Sequence, residues 1–234
     1  MNANLFLERL ESLRSPGAAK AHSHLASDNE DVILGVRMGQ VFALAKEFID
    51  LPLTEIGKLL ESPLHEARVG GVSIMDFQAR RKQTAPARRQ ELYELYLRRH
   101  DRINNWDLVD RAAPHVIGGY LFDFEKPRKI LYELARSGDT WERRTAIVST
   151  LYFIGKADVD DAFQIAEILL KDDQDPIHKA TGWALRYAGD KDPDRLFAFL
   201  DKYAATMPRS ALRYAIEHLD KGPRDHYLGM KKTG

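Results

Sequence analysis

The sequence predicts an all-helical protein built from successive helix pairs, and three observations predict it. Apolar residues recur at helical spacing, as in Val41, Leu44, Ala45 and Phe48 or Ile130, Leu131, Leu134 and Ala135, with no alternating strand run of any length. Helix starts reuse one device, a small polar residue followed by proline, at Ser62-Pro63, Asp175-Pro176 and Asp192-Pro193. Proline is tolerated there because the first N–H groups of a helix have no intrahelical acceptor. Starts near Trp141, Pro176 and Pro208 are separated by 35 and 32 residues, with a further helix inside each interval, near Asp160 and Pro193.

Taken in order, the periodic segments place helices near residues 4–14, 38–50, 54–61, 63–82, 86–100, 105–113 and 127–137, and then at the five starts above. Gly138 and Gly189 mark helix stops. The interval of the C-terminal half is closest to that of the HEAT, armadillo and tetratricopeptide repeats. In these, each pair buries its apolar face only against its neighbours, and the stack curves into an α-solenoid with a concave face. No Gly/Ser/Pro-rich linker divides the chain, so residues 1–221 are expected to form one right-handed repeat domain, with 222–234 as a loosely ordered tail.

Composition removes several functions. The chain of 234 residues has no cysteine, which excludes a thiolate nucleophile, Cys-ligated zinc and iron–sulfur clusters and points to a reducing compartment, the cytoplasm. Glu8 and Glu11 interrupt the apolar pattern of the N-terminus, so it reads as neither a secretory signal nor a membrane span. HExxH, a Walker-type glycine loop, GxGxxG after a strand and the GxSxG elbow are all missing. His22 and His24, two residues apart, read as solvated loop histidines, and no metal or cofactor is expected.

Lys and Arg together number 35, equal to Asp and Glu, yet the charge is unevenly spread. Residues 79–102 hold eight basic residues, among them Arg80, Arg81, Arg88 and Arg98, against three acids; residues 156–175 hold seven acids against two lysines. Either two solvated helix faces of opposite sign or a phosphate-facing patch would explain this.

Off-core residues carry the chemistry. On the helix opening at Asn105, the apolar arc of Leu108, Val109 and Ala112 leaves Trp106 outside the core, with Asp110 about 40° away and one turn on. On the helix after Asp175, Ile177, Ala180, Ala184 and Tyr187 form the apolar side, and Trp183 falls on the flank toward Lys179 and Arg186. Arg144 lies inside the apolar arc of Ile147, Val148 and Leu151, so its guanidinium needs a partner: an anion or solvent past the helix end, or an aspartate. Trp141 is placed to shield the Arg144 stem. Indole faces attract cations, a carboxylate stabilises an oxocarbenium-like centre, and a guanidinium fork suits phosphate. A nucleotide whose base has been alkylated to a cation combines all three demands.

At these residues the sequence resembles the AlkD-type family of bacterial DNA alkylation repair glycosylases. The resemblance runs through LGVRMGQVFALAKEF, EARVGGVSIMDF, NWDLVDRAAPHVIG, WERRTAIV and HKATGWALRYAGDKDP to MPRSALRYAIEHL. Its strongest parts are Trp106-Asp-x-x-Asp110, Trp141-x-x-Arg144 and Lys179-x-x-Gly-Trp183. It implies a HEAT-like array whose concave basic groove wraps double-stranded DNA and releases 3- and 7-alkylpurines without a metal, as a monomer with no obligate protein partner. It implies that Asp110 stabilises the sugar cation, that Trp106 and Trp183 lie against the lesion, and that Arg144 holds the adjacent phosphate. Arg37, Lys179, Arg186, Arg80, Arg81, Arg88 and Arg98 are the expected DNA-binding cations. Arg37, where some members have glutamine, and Ala26, where an aromatic is expected, depart from the family pattern. A lyase using Lys179 as an amine nucleophile, and a non-catalytic helical scaffold, are the competing readings.

Overall fold

The computed structural model describes residues 1–15 and 32–230, which are helical apart from turns and one isolated β-bridge. His22, His24 and Ala26 lie outside the described residues. The chain divides into two compact units, Met1–Tyr120 and Leu121–Gly234. The first contains α1 (Ala3–Ser12), α2 (Met38–Glu47), α3 (Leu53–Glu61), α4 (His65–Arg80), α5 (Pro86–Arg98) and α6 (Trp106–Ala113), then a π-turn at Pro114–Gly118. After α7 (Gly119–Asp123) come α8 (Lys129–Leu134), α9 (Thr140–Ile154), α10 (Asp160–Leu169), α11 (Asp175–Gly189), α12 (Pro193–Tyr203), α13 (Arg209–Ala215) and α14 (Lys221–Gly229).

The first unit is organised around α4. Every residue of this helix except Phe77 and Arg80 is buried, and α2, α3 and α6 pack against it. Its buried polar side chains find partners far away in sequence, because an unpaired polar group in the interior costs about 1–3 kcal/mol. Glu66 accepts the backbone N–H groups of Leu34 (2.9 Å), Gly35 (2.8 Å) and Val36 (3.2 Å). Gly35 adopts φ 91°, a conformation that favours glycine, and this orients the amides toward the carboxylate. Arg68 donates to Asn104 Oδ1 at 2.7 Å, and Gln78 donates to the carbonyls of Ile49 (2.6 Å) and Leu51 (3.0 Å). The LGVR and EARVGG segments are therefore two halves of one buried polar contact.

In the second unit the first helices of successive pairs, α9, α11 and α13, pack in series, with α10 and α12 beside them. Helix starts at Thr140, Asp175 and Arg209 bear out the predicted interval to within a few residues. Gly182 sets the α11–α13 spacing: a Cβ there would lie 2.3 Å from the Ala211 carbonyl oxygen and 2.6 Å from Tyr214 Cβ. Gly189 is the last residue of α11, seated against Leu196.

Three expectations need correction. The helix expected from residue 63 begins at His65, because Pro63 and Leu64 are held by a parallel bridge to Val32, with Val32 N–H donating to the Pro63 carbonyl at 3.0 Å. The helix expected to end before Pro114 continues through the π-turn; the longer hydrogen-bond step absorbs the N–H that proline lacks. The expected loose tail from residue 222 instead begins within a helix, Lys221–Gly229, anchored by Tyr227, whose hydroxyl donates to Asp201 at 2.7 Å and whose ring stacks on Phe197. Helix α14 is thus anchored on α12, and its Leu228 carbonyl accepts from Arg209 of α13 at 2.7 Å.

Candidate functional site

In the first unit, α6 is oriented by two clamps one turn apart. Near its start, Asp107 Oδ2 lies 2.7 Å from Nε2 of His65, whose side chain is fully buried, while Oδ1 accepts the Leu108 N–H at 3.0 Å. One turn on, Arg111 donates to Ser73 Oγ (3.0 Å) and pairs with buried Asp76 (3.2 Å), its guanidinium 4.7 Å from the ring centres of both Phe42 and Phe77. Burial pulls Arg111 below the ordinary guanidinium value, opposed by the Asp76 charge. His115, on the π-turn, reaches the other Asp76 oxygen at 2.8 Å.

These clamps fix one flank of α6 against α4. Leu108, Val109, Ala112 and Ala113 fill the core, and each residue preceding a clamp lies about 100° round the helix from it. Trp106 is 43% exposed, its N–H capped by Asn105 Oδ1 at 2.8 Å, and Asp110 is half-buried. The exposure of Trp106 agrees with its expected place outside the apolar arc, and Asp110 lies one turn on. The clamp residues Asp107 and Arg111 belong to the same motif, but their roles depend on partners on α4 that local periodicity does not reveal.

In the second unit, Asp139 caps α9 by accepting the N–H groups of Trp141 (2.8 Å) and Glu142 (2.9 Å). Arg144 is buried and donates through Nη1 to the Pro176 carbonyl in the first turn of α11. Its neighbour Arg143 pairs with Asp172 at 2.6 Å. Trp141 and Trp183 are both half-buried. Trp183 meets the Tyr187 ring edge-on, centroids 6.0 Å apart, and Tyr187, expected on the apolar side, is 43% exposed.

The predicted cations divide into two sets. Arg37 and Arg98 are exposed, and Arg80 is exposed with Nη1 3.5 Å from Asp76. Others are engaged within their unit: Arg81 with Asp50 (2.7 Å), Arg88 with Gln78 (2.9 Å) and the Leu51 carbonyl (3.0 Å), and Arg186 with Glu217. Lys179 pairs with Asp175 at 2.7 Å, and this hydrogen bond holds the ammonium above the ordinary lysine value. The acidic segment is matched in the same way, Asp161 by Arg128 (2.5 Å) and Asp172 by Arg143 (2.6 Å). Much of the charge segregation seen in sequence is consumed by pairing between neighbouring helices.

Among the described residues, no group of three or more His, Asp or Glu is placed to hold a metal, and no helix is long and apolar enough to cross a membrane. A family model described as DNA alkylation repair enzyme matches residues 6–219. A solved structure from Enterococcus faecalis, described as a predicted DNA alkylation repair enzyme, is similar with a TM-score of 0.70 at 17% identity, covering 89% of this chain and 97% of that chain. No curated protein matches the sequence.

Proposed function

This chain belongs to the DNA alkylation repair enzyme family, and from that membership we propose that it is a monofunctional DNA glycosylase acting on cationic alkylated purines, of the 3-methyladenine and 7-methylguanine class, in duplex DNA. Membership supports a role in DNA repair with DNA as substrate. The observation that carries the finer reading is the exposed Trp106 with Asp110 one turn on, on a helix that the two clamps hold in place.

In this reading the bond between sugar C1′ and the alkylated purine breaks, and the bond's electron pair leaves with the base, discharging its positive charge. Asp110 stabilises the oxocarbenium-like sugar through its carboxylate, and water adds at C1′ to leave an abasic site, losing its proton to Asp110 or solvent. Because the leaving group is already cationic, neither a metal nor a strong general acid is required. Trp106 and Trp183 contribute indole faces that attract the cationic base, at about 0.5–2 kcal/mol each. Arg144, its Nη1 fixed on the Pro176 carbonyl, is assigned to the adjacent phosphate.

Lys179 bears on the reaction type. An amine nucleophile must be neutral, whereas Asp175 stabilises the Lys179 ammonium. This favours hydrolysis without strand cleavage. One observation favours the non-catalytic scaffold: internal pairing of Arg81, Arg88 and Arg186 leaves fewer cations for phosphates. Incubating the protein with methylated duplex DNA under chelator separates the readings. A glycosylase releases free alkylpurine and leaves an unbroken strand with an abasic site; a lyase also nicks the strand; a scaffold binds and releases nothing.

A further inference from the structure

We propose that a pocket between α13 and α14 binds a nucleoside monophosphate. The pocket, about 460 Å³, is lined by Arg213 and Tyr214 of α13, by Ile216 and Glu217 just after it, and by Arg224 and Leu228 of α14. Its two sides are tied together. Arg209 of α13 donates to the Leu228 carbonyl at 2.7 Å, and the Tyr227 hydroxyl holds α14 on Asp201 of α12, also at 2.7 Å. Arg213 and Arg224 are exposed, and among the described residues neither guanidinium is in a hydrogen bond or ion pair. Tyr214 is 38% exposed, and no aromatic ring of the described residues stacks on it. Tyr187, the other exposed large hydrophobic residue described in this unit, already meets Trp183.

Charge, size and polarity narrow the ligand. Glu217, the one carboxylate in the lining, is taken by Arg186 of α11, which leaves two guanidinium charges in excess. A phosphate monoester carries about −1.5 to −2 at pH 7 and suits a guanidinium fork through paired hydrogen bonds. Phosphate by itself would leave Tyr214, Ile216 and Leu228 without a contact, and the volume lies in the roughly 300–1,000 Å³ range of pockets that enclose small organic ligands. A planar base supplies the missing part: every base has a face that stacks on tyrosine, and aromatic side chains beside arginines are the combination that holds unstacked nucleotides. The pocket also adjoins the helix that carries Trp183. A Cβ added at Gly182, the residue before it, would lie 2.6 Å from Tyr214 Cβ. The ligand has two sources, a free nucleoside monophosphate or a nucleotide unstacked from a DNA strand, and the site stands whether or not the chain is a glycosylase.

The test is a titration of the full-length protein with deoxyadenosine monophosphate at constant ionic strength, followed by calorimetry and by the backbone amide signals of Tyr214 and Arg224 in NMR. Saturable binding with shifts at these amides is expected. Inorganic phosphate and deoxyadenosine, each offering part of the contacts, should bind at least about tenfold more weakly. Tyr214→Ala and Arg224→Gln should each weaken the nucleotide about tenfold, the scale of one lost stacking partner or charged hydrogen bond, whereas Tyr214→Phe keeps the stacking face and the affinity. Both side chains are exposed, so the melting temperature should hold in these variants; Arg213→Gln, expected to weaken binding as well, covers the case in which one of them folds poorly. Nucleotide displaced by single-stranded DNA identifies a DNA nucleotide as the source; nucleotide that stays bound beside DNA identifies the free monophosphate. Linear, non-saturating shifts, inorganic phosphate binding as tightly as the nucleotide, or equal affinity in wild type, Tyr214→Ala and Arg224→Gln would overturn the proposal.

Discussion

The imidazole of His65, at the first turn of α4, lies 2.7 Å from the carboxylate of Asp107, at the first turn of α6. The two residues are 42 positions apart in sequence. Together with the Arg111–Asp76 pair one turn further on, this contact sets the rotation of α6 about its axis, with Trp106 exposed and Asp110 one turn on.

Removing the clamp should therefore cost stability before chemistry. Asp107→Ala leaves the His65 ring buried without its carboxylate, and a loss of about 1–3 kcal/mol is expected. In a chain of this size that lowers the melting temperature by about 2–4 °C per kcal/mol. Thermal unfolding of Asp107→Ala and the double variant with His65→Leu checks it: the double variant should recover part of the loss, since no buried polar group is then stranded.

Gly182 gives a steric prediction in the second unit. Gly182→Ala places a methyl 2.3 Å from the Ala211 carbonyl oxygen, which is backbone and cannot swing aside. Forcing α11 and α13 apart should cost about 1–3 kcal/mol. Denaturant unfolding measures it, and a variant as stable as wild type would contradict the close packing described here.

The basic residues separate by role. Arg98 is exposed, so Arg98→Ala should leave the melting temperature unchanged while weakening DNA binding and lowering the salt slope by about one. Arg88 bonds Gln78 and the Leu51 carbonyl, so Arg88→Ala should destabilise the first unit. Binding isotherms at several salt concentrations, beside melting curves, resolve the two.

Much of this arrangement was legible in the sequence where the signal is local. The outward position of Trp106 follows from the apolar arc of α6, and the starts of α9, α11 and α13 follow from caps and prolines. What stayed hidden depends on distant partners. The polar residues of α4 look like an ordinary mixed surface in sequence, and only contacts 27 to 42 residues away make them a buried hub. A buried Arg144 needs a partner, and an acceptor such as the Pro176 carbonyl leaves no trace in composition. Helix α14 leaves no apolar stripe in the sequence because Tyr227 supplies most of its burial.

That same tyrosine makes the stability of α14 depend on pH. Burial, with the hydrogen bond to Asp201, pushes the Tyr227 hydroxyl from 10.0 up to about 12. Because the folded value is raised, its contribution is fully present below about pH 10 and is lost as the pH climbs through about 12. Unfolding monitored across this range should show a loss that Tyr227→Phe removes, with tyrosinate absorbance reporting the ionisation.

The central claim is that Asp110 acts on the sugar while Asp107, three residues earlier, only holds the helix. Single-turnover release of 7-methylguanine and 3-methyladenine from methylated duplex DNA, under chelator, tests it most directly with wild type, Asp110→Asn and Asp107→Asn compared at a temperature where all three are folded. Wild type should release the bases, Asp107→Asn should retain most of that rate, and Asp110→Asn should collapse by at least about a hundredfold, the scale on which one lost electrostatic stabiliser acts. Equal rates in wild type and Asp110→Asn, or no release from any of the three despite tight DNA binding, would contradict it.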